Sequence, residues 1–253
     1  YEDESKIPKI DLSPLCEVLS IDPEEKTADV ESGIALVDLV EKTLPYGLVP
    51  YTVSELKTIT VGGAISGCSV ESMSYRYGGL HDSCLEYEVI TGTGEVITCS
   101  PEQDEDLFHM LHGSYGTLGI LSRVKLKLYP AKKYVKMENR LHHTFEAYWA
   151  DLLERCEKGD YTFVDGIIHG RDAFVLCLGE YVDEAPYTSD YEGEEIYYKS
   201  TLDQREDFMT AQQYFFRYDT ECHWLTRTGP GLENPLVRRL FGRFLLGSTN
   251  LIQ

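Results

Sequence analysis

Positive charge is scarce in this sequence. Against 43 Asp and Glu residues stand 23 Lys and Arg, a formal net charge of −20 over 253 residues. The phosphate attraction that dominates nucleic-acid binding would be repulsion here, and no basic stripe long enough to reverse it occurs, so a nucleic-acid partner is excluded. Long apolar runs are missing too. With no hydrophobic stretch of about 18 residues and no signal or transit peptide, nothing in this chain reads as spanning a bilayer. The seven cysteines (Cys16, Cys68, Cys84, Cys99, Cys156, Cys177, Cys222) form no C-x-x-C pair and have no histidine spacing suited to zinc. Odd in number and scattered, they read as reduced thiols of a cytosol-facing protein, and no metal site is expected. The P-loop pattern G-x-x-x-x-G-K-[ST] and a strand-borne G-x-G-x-x-G are both absent, which excludes the two commonest nucleotide cradles.

What is present is a chain that folds. At 42% hydrophobic it can bury a sizeable core. Residues Cys16 to Glu31 read as two short strands joined by the turn Asp22-Pro23-Glu24-Glu25. Ile34 to Leu44 has helical apolar spacing and is stopped by Pro45 and Gly47. A second hairpin turns at Thr91-Gly92-Thr93-Gly94. Ser100-Pro101-Glu102-Gln103 reads as an N-cap, a first-turn proline and a capping-box glutamine, opening a helix through Leu111. From Ser122 to Tyr129, Val124, Leu126 and Leu128 alternate with Arg123, Lys125 and Lys127, a strand with one wet face. Pro130 closes that unit, and the texture then changes to tyrosines and acidic clusters, which places a domain boundary near Ala131: 1–131 and 132–253. The second part is expected to hold a helix over Phe145 to Cys156 and strands at Tyr161 to His169 and Ala173 to Tyr181, while VDEAPYTSDYEGEE reads as a solvated acidic loop.

The stretch TVGGAISGCSVES, Thr60 to Ser72, carries little side chain. Gly62, Gly63 and Gly67 let main chain approach a ligand closely, and the hydroxyls of Thr60, Ser66, Ser69 and Ser72 suit phosphate or ribityl oxygens, with no lysine between Thr58 and Arg76. A structural loop of tight turns accounts for the same composition.

Three blocks in order, TVGGAISGCSVESMSYRYGGLHDSCLEYEVITGTGEVITCS, DLFHMLHGSYGTLGIL and KLKLYPAKKYVK, resemble the FAD-binding domain of the vanillyl-alcohol oxidase and p-cresol methylhydroxylase flavoprotein family. Within it, Glu71-Ser72, the YPAKKYVK exit and NPLVRRLFGRF are most similar to the Δ24-sterol reductase branch. The resemblance implies an α+β fold: the second subdomain of a PCMH-type FAD-binding domain followed by part of an α+β substrate (cap) domain, the chain looking truncated at both ends. It implies FAD, with Thr60, Val61, Gly62, Gly63, Ala64, Ile65, Ser66, Gly67, Cys68, Ser69, Val70, Glu71, Ser72, Gly119 and Ile120 along the cofactor. Neither His81 nor Cys84 equates with a covalent attachment site of the family, so the FAD is expected to be non-covalent. The implied activity is reduction of a sterol side-chain double bond, with a sterol or other apolar small molecule as substrate, reduced nicotinamide as a candidate electron donor, and endoplasmic reticulum membrane association in the full-length protein.

Such a reaction needs a proton donor facing the ring. The cluster QQYFFRYDTECHW offers Tyr214, Tyr218 and His223, although aromatic residues at Tyr214 and Tyr218 equally fit a core, and Glu71 fits either a turn cap or the flavin's surroundings. His109 and His112 read as ordinary helix histidines. The basic and apolar segment Leu236 to Leu246 is either packed on its own domain or a contact for a membrane surface or partner protein. Two rival readings stay open: a non-catalytic structural subunit of a larger assembly that keeps the flavoprotein fold without FAD, and an FAD-dependent alcohol or hydroxy-acid oxidase.

Overall fold

The computed structural model describes residues 10–193, 195–221, 225–229 and 231–251. Strands β1 (Val18–Asp22) and β2 (Thr27–Glu31) pair around the proline turn, where Asp22 Oδ1 accepts from the Glu24 and Glu25 amides at 3.0 Å each. Helix α1 (Leu36–Thr43) buries Leu36, Leu39 and Val40, and Gly47, at φ 67°, turns the chain into β3 (Leu48–Pro50). The glycine-rich stretch is not all loop. It holds the short helix α2 (Val61–Ser66), and α3 (Ser74–Tyr77) follows it. The hairpin of β4 (Cys84–Ile90) and β5 (Val96–Cys99) leads to α4 (Glu105–Met110) and then β6 (Ile120–Pro130).

β6 is the spine of a six-stranded antiparallel sheet ordered β1-β2-β6-β4-β5, with β3 pairing onto the end of β6. Val124, Leu126 and Leu128 are buried, as their alternation predicts. On the wet face Lys125 lies opposite Asp29 and Glu86, and Arg123 opposite Glu31 and Glu88. Arg123 donates to Asp29 Oδ1 at 2.6 Å and to Glu86 Oε1 at 3.1 Å. Slipping one residue would turn these cations to the buried face and away from their carboxylate partners, so the pattern fixes the register.

The α4 boundary corrects the sequence reading. Ser100 Oγ accepts from the Glu102 and Gln103 amides at 3.1 Å each, which makes residues 100–103 a closed turn. The helix starts at Glu105, after Asp104 in the left-handed region at φ 51°.

The second sheet comprises β7 (Tyr134–His142), β8 (Phe163–Gly170), β9 (Ala173–Val182) and β10 (Glu206–Thr210), antiparallel in the order β10-β7-β9-β8. Helix α5 (Phe145–Lys158) is capped by Thr144, whose Oγ1 accepts from the Ala147 amide, and ended by Gly159 at φ 59°. β8 and β9 match the expected strands; β7 and β10 are additional. The acidic segment before α6 (Tyr197–Asp203) is more than a solvated loop. Ser189 and Tyr191 both donate to the buried Asp207 carboxylate at 2.6 Å, and Glu192 pairs with Lys57 of the first part at 2.6 Å. After α7 (Ala211–Phe215) come α8 (Leu225–Thr228), α9 (Pro235–Leu245) and α10 (Ser248–Leu251). Among the described side chains of α9 the buried one is Arg238, which donates to Thr220 O, Thr220 Oγ1 and Glu195 O at 3.1 to 3.2 Å, while Leu236, Leu240, Phe241 and Leu245 face outward.

One contiguous apolar core takes Val30, Val124 and Leu126 from the first sheet together with Met137, Phe163 and Tyr214 from the second part. The described cysteines at 16, 68, 84, 99, 156 and 177 are free thiols; Cys222 lies outside the described residues. No helix among the described residues is long and apolar enough to cross a membrane.

Candidate functional site

A cleft of about 460 Å³ opens between α2, the turn after β2 and the segment entering β6. Thr60 caps α2, its Oγ1 accepting from the Gly63 amide at 3.2 Å with its own O–H left to donate. Ser13, Ser32 and Ser66 add hydroxyls to the lining, and Leu12, Ile120 and Leu121 add apolar surface.

The glycines here serve different ends. At Gly62 a Cβ would lie 2.9 Å from Ser32 Cβ and 3.1 Å from Ser32 O, so its bareness lets α2 sit on the chain leaving β2; its amide donates to Ser32 O at 2.7 Å. Gly63 is exposed to the cleft, and there a Cβ would meet only Thr60 Oγ1. Gly116, at φ 74°, also lines the cleft, with nothing within 4 Å of a Cβ position. Gly63 and Gly116 are therefore the positions where bare main chain is open to the cleft.

Of the residues the sequence assigns to the cofactor, the structure brings Thr60, Gly62, Gly63, Ser66, Gly119 and Ile120 together on this cleft. Val61, Ala64 and Ile65 are core residues. Gly67 and Cys68 are exposed at the end of α2, and Ser69 Oγ bonds Ser54 Oγ at 2.7 Å. Val70, Glu71 and Ser72 belong to a second cavity. The amides of Val61, Gly62, Gly63 and Ala64 donate within the protein, to Ile34 O, Ser32 O, Thr60 Oγ1 and Thr60 O. The main-chain nest expected over the whole stretch is thus already spent on folding in its first turn, and the hydroxyls carry the polar capacity of that wall.

The second cavity, about 350 Å³, lies where the two parts meet: Glu55, Val70, Glu71 and Ser72 on one side, Val164, Asp165, Gly166 and Ile167 of β8 on the other, with Tyr218. The Val164 amide donates to Ser72 O at 2.9 Å, stitching β8 to the first part. Ser72 Oγ and Tyr214 OH are 2.8 Å apart. Behind them sits Arg217, buried, donating to Asp165 Oδ2 at 2.8 Å and to Tyr214 O at 2.7 Å. Its guanidinium carbon lies 4.1, 4.8 and 4.9 Å from the ring centres of Tyr214, Tyr218 and Tyr197.

This setting moves the titratable groups. Burial, then the neighbouring Glu55, push the Glu71 carboxyl up to about 9, with Arg217 pulling the other way. Burial also raises Asp165 despite its ion pair, and holds the Tyr214 and Tyr218 phenols well above their ordinary range. Glu71 therefore carries its proton at neutral pH, the reverse of an ordinary glutamate.

Tyr214 and Tyr218 are both core residues, at 1% and 4% exposure, and Tyr218 also lines the second cavity. His223 lies outside the described residues. Sequence reasoning missed Asp165 and Arg217. The signal was there, a carboxylate inside the apolar run FVDGII and a cation inside the aromatic run YFFRY, since charge in such runs is buried only when paired. His112 sits away from both cavities, its Nε2 3.0 Å from Tyr87 OH, and burial together with His81 and His109 lowers it to about 4.

Residues 5–100 match the family profile described as FAD binding domain. The chain is 29% identical to the Delta(24)-sterol reductase of Homo sapiens over 240 residues, which is 90% of this chain and 46% of that protein. It is 35% identical to the Delta(24)-sterol reductase of Pisum sativum over 187 residues, 70% of this chain and 33% of that protein. With cytokinin dehydrogenase 9 of Oryza sativa subsp. japonica it shares 34% identity over 142 residues, 55% of this chain and 27% of that protein. The chain spans less than half the length of these curated relatives.

Proposed function

The chain belongs to the FAD-binding flavoproteins that include Δ24-sterol reductases and cytokinin dehydrogenases, and from that premise we propose that it is the cofactor-holding part of an FAD-dependent reductase acting on a side-chain double bond of a sterol. The observation that carries this reading is the pairing of a cation-free, hydroxyl-lined cleft at Thr60 to Ser66 with a second, partly apolar cavity holding a neutral acid at the junction of the two parts.

The cleft suits FAD in its donor set. Ser66, the Thr60 O–H and Ser13 offer hydrogen bonds to phosphate and ribityl oxygens, while the buried Ser32 hydroxyl is already donated to Leu121 O; Gly63 and Gly116 leave room for main-chain contact, and Ile120 and Leu121 give an apolar wall. No cysteine or histidine is among the lining residues described, and in this reading the cofactor is non-covalent. FAD bound there supplies two-electron hydride chemistry. This chain's own residues bind and orient it and, in the second cavity, present Val70, Val164 and Ile167 to an apolar substrate.

The test is direct. The full-length protein is purified, its visible spectrum recorded, its flavin reduced with dithionite, and a Δ24-sterol in detergent micelles added without oxygen. Return of the oxidised flavin band with formation of the saturated side chain is expected. A protein lacking the flavin band is the scaffold instead. Reduced flavin that a Δ24-sterol leaves untouched would contradict the substrate assignment, and the likeness to cytokinin dehydrogenase then makes substrate oxidation the next reaction to assay.

A further inference from the structure

We propose that Glu71 is the acid that delivers the proton to the substrate's double bond in the cavity between Glu55 and Ile167. The proposal rests on the FAD-dependent reductase reading and assigns the proton donor that the reaction requires.

Three features of the site point to this residue. The first is place. Glu71 lies on the cavity wall beside Ser72, facing Val164, Asp165 and Ile167 across the junction. An alkene needs apolar surface beside a polar donor, and Val70, Val164 and Ile167 provide it in a lining that also holds Glu55, Ser72, Asp165 and Tyr218. The second is positioning. The Glu71 amide donates to Ser74 Oγ at 2.8 Å and its carbonyl accepts from the Ser74 amide at 2.8 Å, which locks the backbone; the Glu55 main chain bonds its carboxyl. The third is protonation, and every charged or titratable neighbour contributes. Glu55 on the same wall and Asp165 from β8 favour the neutral form, Arg217 from behind opposes them, and burial exceeds each of these. Arg217 is itself engaged, bonded to Asp165 and enclosed by Tyr197, Tyr214 and Tyr218, so its charge is largely committed elsewhere. Tyr214 lies behind Ser72 in the core and not on the cavity wall, and its phenol, raised well above its ordinary value, is shared with Ser72.

The balance of the step is simple. The substrate's C=C π bond is replaced by two C–H bonds. One carbon takes a hydride, with its electron pair, from reduced flavin, which is oxidised by two electrons; the other takes the Glu71 proton. Glu71 is left as a carboxylate and regains a proton from solvent through the open cavity, where the residue keeps a minor part of its surface exposed.

The experiment uses the full-length protein as wild type, Glu71→Gln and Glu71→Asp. Infrared titration reads the carboxyl itself: a protonated carbonyl band that persists at neutral pH, disappears near pH 9 and is missing in Glu71→Gln is expected. Stopped-flow reoxidation of dithionite-reduced flavin by a Δ24-sterol reads the step. Glu71→Gln should bind flavin and accept electrons from dithionite as the wild type does, yet reoxidise about 100- to 10,000-fold more slowly, the contribution of a positioned acid. Glu71→Asp should recover part of that loss. Undiminished reoxidation in Glu71→Gln, or a Glu71 carboxyl already ionised at pH 7, overturns the proposal. If Glu71→Gln fails to fold, the wild-type titration and Glu71→Asp still decide. Failure of the reductase reading shows separately, as a wild type with no flavin band or with flavin that no Δ24-sterol reoxidises, and removes the proposal with it.

Discussion

At the scale of the residue, the two most consequential side chains are titratable groups in buried company. Arg217 is held by one carboxylate, one carbonyl and three rings. Replacing it with methionine keeps much of the volume and strands Asp165 beside the cavity. Breaking a buried pair in this way costs about 3–5 kcal/mol, so Arg217→Met should unfold at clearly lower denaturant concentration, and adding Asp165→Asn should restore part of the loss. An Arg217→Met midpoint equal to the wild type would show the pair to be idle. Glu71 gives a pH signature. Its carboxyl titrates near 4.5 when unfolded and near 9 when folded, so the folded state holds the extra proton between those values. Stability from this group is complete below pH 4.5 and is lost as pH rises toward 9. The stability of Glu71→Gln relative to wild type should therefore climb between pH 5 and 9 in urea titrations; a flat difference would place the carboxyl in water.

At the scale of the element, legibility followed how local the cause was. β6, the two hairpins of the first sheet, α1 and α5 were readable because two- or nearly four-residue periodicity and nearby turn residues decide them. α5 even announced its cap. Thr144→Ala, which leaves the Ala147 amide without its side-chain acceptor, should cost about 1 kcal/mol, measurable as a lower thermal midpoint. β7 was hidden by Asn139, a polar residue at a buried position, made tolerable by its bond to Gln204 O at 2.8 Å. β10 was hidden by brevity and by Asp207, whose charge is met by Ser189 and Tyr191 from a segment that reads as acidic loop. The start of α4 was misplaced because serine caps a turn and a helix with the same hydrogen bonds, and only the left-handed Asp104 separates the two. In the candidate site, Thr60, Gly63 and Ser66 were legible from chemistry. That Val61 and Ile65 are core was not, since six residues of helix give too little periodicity to show a buried face.

At the scale of the whole molecule, the two sheets share one core, and the second cavity is walled by the segment Val70 to Ser72 on one side and by β8 on the other, so its walls are fixed relative to one another by packing. The cleft, by contrast, presents hydroxyls without a cation. A doubly anionic cofactor is held tightly only if further charge-assisted bonds, worth about 1.5–3 kcal/mol each, come from elsewhere in the polypeptide. Two or three of them amount to several powers of ten in affinity at about 1.4 kcal/mol per decade. These 253 residues alone are thus expected to bind FAD more weakly than micromolar in equilibrium dialysis; micromolar binding would mean that the cleft suffices. The central claim, that FAD lies against the bare main chain at Gly63, is tested most directly by the flavin-to-protein absorbance ratio of the purified full-length protein with and without Gly63→Val. The account predicts that the wild type carries flavin and that Gly63→Val, with unchanged far-ultraviolet circular dichroism, carries little or none. Equal flavin content in the two would contradict it.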